Sequence, residues 1–202
     1  CEIMRLIYQI PRNSLAWLLA AHALVVIPHI SILPVTIVVA AFSCLIWRIQ
    51  VYRGLWKFPA RYIKYCLAGI NLIAIYLGYG RLIGLEPMVA LLVAGFSLKL
   101  IEMHQRRDAL TVIYLAYLVA AIHLLFSQTM IAALIVMSQF VIITTSLIGL
   151  NQSQGYRYPL KSLAAASLLL LQAIPLMVVL FLVMPRLGAL WSVPSPQHSA
   201  KT

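Results

Sequence analysis

The groups in this 202-residue chain that can do acid–base, nucleophilic or metal chemistry are few. Its carboxylates are Glu2, Glu86, Glu102 and Asp108, and its thiols are Cys1, Cys44 and Cys66. Acyl transfer through cysteine needs a thiolate activated by a base that an acid orients. Cys44 and Cys66 lie in or at the edge of apolar runs, and the one aspartate, Asp108, falls in a loop between runs. No CxxC, GxSxG, HExxH or P-loop string occurs. The expectation is a segment with no catalytic residue, no metal ligands and no cofactor.

Two groups of residues remain as candidates. Lys99, Glu102 and Arg106 follow a spacing of three and four, with Arg107 and Asp108 beside them. On a continuous helix Glu102 would bridge both cations, forming either a salt-bridged helix end or a docking point for a cytoplasmic protein or a lipid headgroup. Polar residues inside apolar runs form the second group: His22, Asn71, His123, Gln139 and Gln172. Intramembrane polar groups are functional suspects, but hydrogen-bonded links between helices account for the same pattern. No carboxylate lies mid-run, which argues against a proton or sodium relay.

What must position these residues is a set of apolar helices. Hydrophobic residues make up 63% of the chain and charged residues 9%, and the mean hydropathy is +0.99. That leaves too little polar surface for a water-soluble globule. Apolar runs extend over residues 14–30, 32–47, 64–80, 87–101, 109–126, 129–150 and 162–184. The predicted fold is an all-α, polytopic transmembrane bundle of about seven apolar segments, giving five to seven crossings of roughly 20 residues each. The first two runs, joined by Pro28, His29, Ser31 and Pro34, read as a spanning hairpin, with a re-entrant pair as the alternative.

A formal charge of +11 does not point to nucleic acid, because the cations sit between apolar runs and not on one solvated face. With the N-terminus inside, Arg5, Arg12, Arg48, Arg53, Lys57, Arg61, Lys64, Lys99, Arg106, Arg107, Arg157 and Lys161 are cytoplasmic, and only Arg81, Arg186 and Lys201 are outside. This bias predicts N-terminus in and C-terminus out. Trp47, Tyr52, Trp56, Tyr62 and Tyr65 flank the most basic inner loop, as interfacial aromatics do. The expected organisation is a cytoplasmic segment 1–13, a membrane domain 14–184 and a Pro/Ser-rich periplasmic linker 185–202. Cys1 reads most simply as a trimmed start.

Several strings in order carry a resemblance. They are Ile10-Pro-Arg-Asn-Ser-Leu-Ala-Trp17, Trp47-Arg-Ile-Gln50, Tyr79-Gly-Arg-Leu-Ile-Gly-Leu-Glu-Pro87, Lys99-Leu-Ile-Glu102 with Arg106-Arg-Asp-Ala109, Leu125-Phe-Ser-Gln128, and Val183-Met-Pro-Arg-Leu187 with Leu190-Trp191. Over residues 10–194 the chain resembles the N-terminal membrane domain of bacterial transglutaminase-like membrane proteins of the TgpA type. The resemblance implies a bacterial inner-membrane location and a following periplasmic domain with a Cys-His-Asp triad, acting as an acyltransferase or cysteine-protease-like enzyme. A further C-terminal span is implied after that domain. This segment would then anchor that domain. A small permease or channel-like module, or a subunit binding a cytoplasmic or membrane protein partner, are the readings from other classes. The bilayer is the partner common to all three.

Overall fold

Long apolar stretches with charge only at their ends form helices wherever backbone groups cannot reach water, since a helix satisfies its N–H and C=O groups internally. The structure, a computed structural model, describes residues 12–56, 59–80, 83–127, 129–151 and 159–183. Seven α-helices occupy them: α1 Arg12–Val26, α2 Val35–Tyr52, α3 Arg61–Tyr79, α4 Leu85–Glu102, α5 Arg106–Phe126, α6 Met130–Asn151 and α7 Pro159–Val183. Among the described residues there is no strand. Each helix overlaps one of the seven predicted apolar runs. The expected segment 1–13 lies outside the described residues except for its last two, which already belong to α1, and the expected linker 185–202 lies wholly outside them.

Prolines and glycines punctuate the helices as their chemistry requires. Pro34 directly precedes α2 and Pro159 opens α7, positions where a missing N–H costs nothing. A short 3₁₀ turn, Ile27–His29, ends α1 where Pro28 cannot continue the α-helical ladder. α3 stops at Gly80, whose left-handed φ of 65° lets its N–H close on the Tyr76 carbonyl at 2.8 Å.

Two compact units divide the chain, residues 1–167 and 168–202. In the first, α1 packs along α6, α2 along α4, and α5 joins α4 to α6. Leu18, Val25, Ile37, Val93, Phe96, Ile113, Val119 and Ile143 fill the interior. The α1–α6 crossing is held by a reciprocal pair: Ser14 Oγ donates to the Ser146 carbonyl at 2.9 Å, and Ser146 Oγ donates to the Ser14 carbonyl at 3.2 Å. Gly149 lies at this crossing, where a Cβ would sit 3.4 Å from Ser14 Cα, in van der Waals contact with no room beyond it on that side. Small residues at a close crossing are the usual device where lipid removes any hydrophobic drive between helices.

Contacts at the helix ends show that α1 to α6 alternate in direction. At one end the Tyr79 hydroxyl donates to the Ile32 carbonyl at 2.8 Å, and the His29 and His123 rings lie 5.3 Å apart. At the other end Ser14 meets Ser146, Lys64 meets Glu102, and Arg106 meets Asn151. α1 with its 3₁₀ turn therefore runs the full distance between the two ends, as a spanning hairpin arm would. Five helical stretches among the described residues are long and apolar enough to cross a membrane: Val35–Tyr52, Tyr62–Tyr79, Arg106–Phe126, Met130–Asn151 and Leu160–Leu180. α4 matches α2 in length but carries Glu86, Lys99 and Glu102 in its end turns. Large apolar side chains such as Ile73, Leu77 and Leu134 are exposed, which suits lipid and not water.

In the second unit the described residues 168–183 continue α7, with Pro175 inside the helix. The side chains from Leu171 to Leu180 are all exposed.

Candidate functional site

The charged end of α3, α4 and α5 is built around a break in the chain. α4 stops at Glu102; Met103 is extended, and Gln105 at φ −112°, ψ 162° caps α5. Asp108 closes a capping box, its Oδ2 accepting the N–H of Gln105 at 3.2 Å and of His104 at 3.3 Å. The His104 ring folds back through Nδ1 onto the Glu102 carbonyl.

This break changes the pairing expected from the sequence. Glu102 and Arg106 do not share a helix face; the guanidinium of Arg106 donates instead to Asn151 Oδ1 on α6. Glu102 keeps its partner Lys99, at 3.2 Å, and gains Lys64 from the first turn of α3, at 3.8 Å. Lys99 also lies 4.0 Å from Asp108. Arg107 is exposed, and its carbonyl accepts the Thr111 hydroxyl at 3.2 Å. Lys99, Glu102 and Asp108 are thus brought together, with Arg106 turned to another helix. Lys64 is the member that sequence reasoning missed, because 38 positions separate it from Glu102 and only the α3–α4 packing joins them.

Such pairs are worth at most about 1 kcal/mol at a surface. The Glu102 side chain is 49% exposed and the two lysines 23% and 31%, so solvent screening keeps the contribution of these pairs to stability small.

The polar residues inside the helices divide by what they hold. Gln139, fully buried, donates from Nε2 to the Leu24 carbonyl at 3.0 Å and so links α6 to α1. Leu24 is four residues before Pro28, which has no N–H to offer it, and Gln139 supplies the missing donor. Asn71 does not bridge helices; its Nδ2 donates to the Leu67 carbonyl of its own helix at 2.7 Å. His22 is buried with its ring 4.5 Å from that of Phe96. His123 faces His29, whose Nδ1 donates to the Val25 carbonyl at 2.9 Å. Gln172, expected as a link between helices, is exposed.

Among the described residues Cys44 is buried in α2, Cys66 is exposed on α3, and the Asp108 carboxylate accepts the N–H groups of the α5 cap. Among the described residues no three His, Cys, Asp or Glu side chains gather as metal ligands would.

Residues 17–202 match the family model described as the TgpA N-terminal domain. A protein named protein-glutamine gamma-glutamyltransferase, from Pseudomonas aeruginosa, is 41% identical over 193 residues, covering 96% of this chain. The chain spans 29% of that relative's length. No solved structure matches the chain significantly. A helical bundle with membrane-length spans, matched along nearly its whole extent, places this chain in the TgpA N-terminal domain family.

Proposed function

We propose that this domain is the membrane anchor of a transglutaminase-like inner-membrane protein, and that it holds an acyl-transfer domain at the outer face of the bilayer. The observation that carries the reading is the segregation of charge along the alternating bundle. Arg53, Lys64, Lys99, Arg106 and Arg107 all lie in end turns or links on the Ser14–Ser146 side, and the opposite end holds no Lys or Arg among the described residues. Under the positive-inside rule that end is cytoplasmic. Leu160–Leu180 is long and apolar enough for one more crossing, and an odd number of crossings takes the chain after Val183 to the periplasm.

The acyl-transfer activity belongs, in this reading, to the part of the protein beyond the 29% that this chain matches in its relative. The name of that relative, and the lack of any assembled thiol, base and acid among the described residues, support that division of labour. An anchor is favoured over a conduit because Gln139 and Asn71 are each tied to a helix carbonyl, and His22 is packed on Phe96. The test is a reporter active only outside the cytoplasm, fused at Thr202, with fractionation of the membranes. Activity in the inner-membrane fraction is expected; an accumulated but silent fusion overturns the reading.

A further inference from the structure

Three hollows on the α3–α4 side of the bundle run into one another. The outermost, about 530 Å³, opens between Pro59 and Gln105 over Lys64, Lys99 and Glu102. The next, about 450 Å³, shares those three charged residues and continues inward over Ala68, Gly95 and Leu98. The innermost, about 360 Å³, shares Ala68, Gly95 and Leu98 and ends at Asn71, Ile75 and Leu91. Together they form a trough with a charged mouth at the end of the bundle and an apolar floor.

Small residues make the floor. Ala68 and Gly69 of α3 face Ala94 and Gly95 of α4, and a Cβ added at Gly69 or Gly95 would meet nothing within 4 Å. From Lys64 to Ile75 the trough follows α3 for about 16 Å at 1.5 Å per residue. That is about half of a ~30 Å hydrocarbon core, the depth of one leaflet. A slot one leaflet deep with a charged rim fits an amphiphile lying along the bilayer normal.

The rim selects among amphiphiles. Lys64 and Lys99 flank Glu102, which bridges them at 3.8 and 3.2 Å. Asp108, 4.0 Å from Lys99, is held by the backbone N–H groups of the α5 cap. A phosphodiester seated on the two ammonium groups displaces Glu102 from its bridging position and leaves that carboxylate short of a cation. A headgroup bearing its own ammonium beside the phosphate restores the pair; a glycerol headgroup does not. We propose that the trough binds an aminophospholipid, phosphate on Lys64 and Lys99, ammonium on Glu102, and one acyl chain along the Ala68–Gly95 seam. The proposal rests on the membrane reading of the bundle and is independent of what the domain anchors.

The experiment uses the full-length protein in vesicles doped with phosphatidylethanolamine or phosphatidylglycerol carrying a photoreactive acyl chain, with cross-links mapped by peptide mass spectrometry. Phosphatidylethanolamine is expected to label the segments around Ala68 and Leu91 several-fold more than phosphatidylglycerol. Replacing both lysines, Lys64→Gln with Lys99→Gln, lowers that labelling by roughly thirty-fold, given the attraction each of the two cations contributes at a membrane surface. Gly95→Leu, which fills the seam where there is room for a side chain, removes it with the lysines intact. Labelling at the exposed Leu171 and Leu180 of α7 reports insertion in the bilayer and stays constant across variants. Loss of labelling there would fault the membrane reading itself. Equal labelling by both headgroups, preference for phosphatidylglycerol, or indifference to Gly95→Leu would overturn the aminophospholipid site.

Discussion

At the scale of single residues, Gln139 shows why a buried polar side chain inside an apolar helix need not be a functional group. Its position in the middle of an apolar run was plain from the sequence. That it serves the Leu24 carbonyl was not, because the need arises from Pro28 on a helix more than a hundred positions away. Gln139→Leu leaves that carbonyl without a donor and should lower stability in detergent by about 1 kcal/mol, the range of interhelical hydrogen bonds in membranes. Pro28→Ala restores the local N–H, so the double variant should recover much of that loss in a thermal-unfolding cycle. Strict additivity would refute the pairing. Asp108 makes a similar contrast with Glu102. Asp108→Ala removes a cap and should cost about 1 kcal/mol. Glu102→Gln, at an exposed pair, should stay within about 0.5 kcal/mol when unfolding is followed by circular dichroism.

At the scale of helices, apolar run length located all seven elements, since a chain in lipid has no other way to satisfy its backbone. The second apolar run predicts an end near residue 47, yet α2 continues to Tyr52, through Arg48 and Gln50, because a helix in its last turns tolerates polar side chains near an interface. The break at Met103–Gln105 falls within the gap between the runs 87–101 and 109–126, but its exact place is hard to read because it contains neither Gly nor Pro, and its local sign is the Gln105–Asp108 capping box. Only on a continuous helix would Arg106 share a face with Glu102, and this break turns it to α6 instead. Crossing points were invisible as well, because a glycine at a tight seam and a glycine beside a trough look alike in sequence. The structure separates them. Gly149→Leu drives a side chain against the Ser14 backbone and should destabilise the bundle by roughly 1–3 kcal/mol. Gly95→Leu meets open space and, with better helix propensity, should be neutral or stabilising by up to about 1 kcal/mol. Similar losses for the two in matched thermal unfolding would mean that the α1–α6 seam is not as close as described.

At the scale of the whole molecule, the count of cations between runs and the structure's own ends are independent observations that meet. The count needs only the order of residues along the chain; the ends are defined by contacts such as Tyr79 with Ile32 and Arg106 with Asn151. Had α1 and α2 been a shallow re-entrant pair, His29 would not reach His123 at the far end of α5 while Ser14 reaches Ser146 near the end of α6. The orientation is therefore testable at both ends of one hairpin. With Cys1, Cys44 and Cys66 replaced by alanine, cysteines introduced at the exposed Ser31 and Leu55 sit at opposite ends of α2. A membrane-impermeant maleimide on intact spheroplasts should label Ser31→Cys strongly and Leu55→Cys only after the membrane is opened. Labelling of both before opening would make the hairpin re-entrant or the bundle leaky. The reverse pattern would place the basic end outside and overturn the proposal of an anchor for a periplasmic domain.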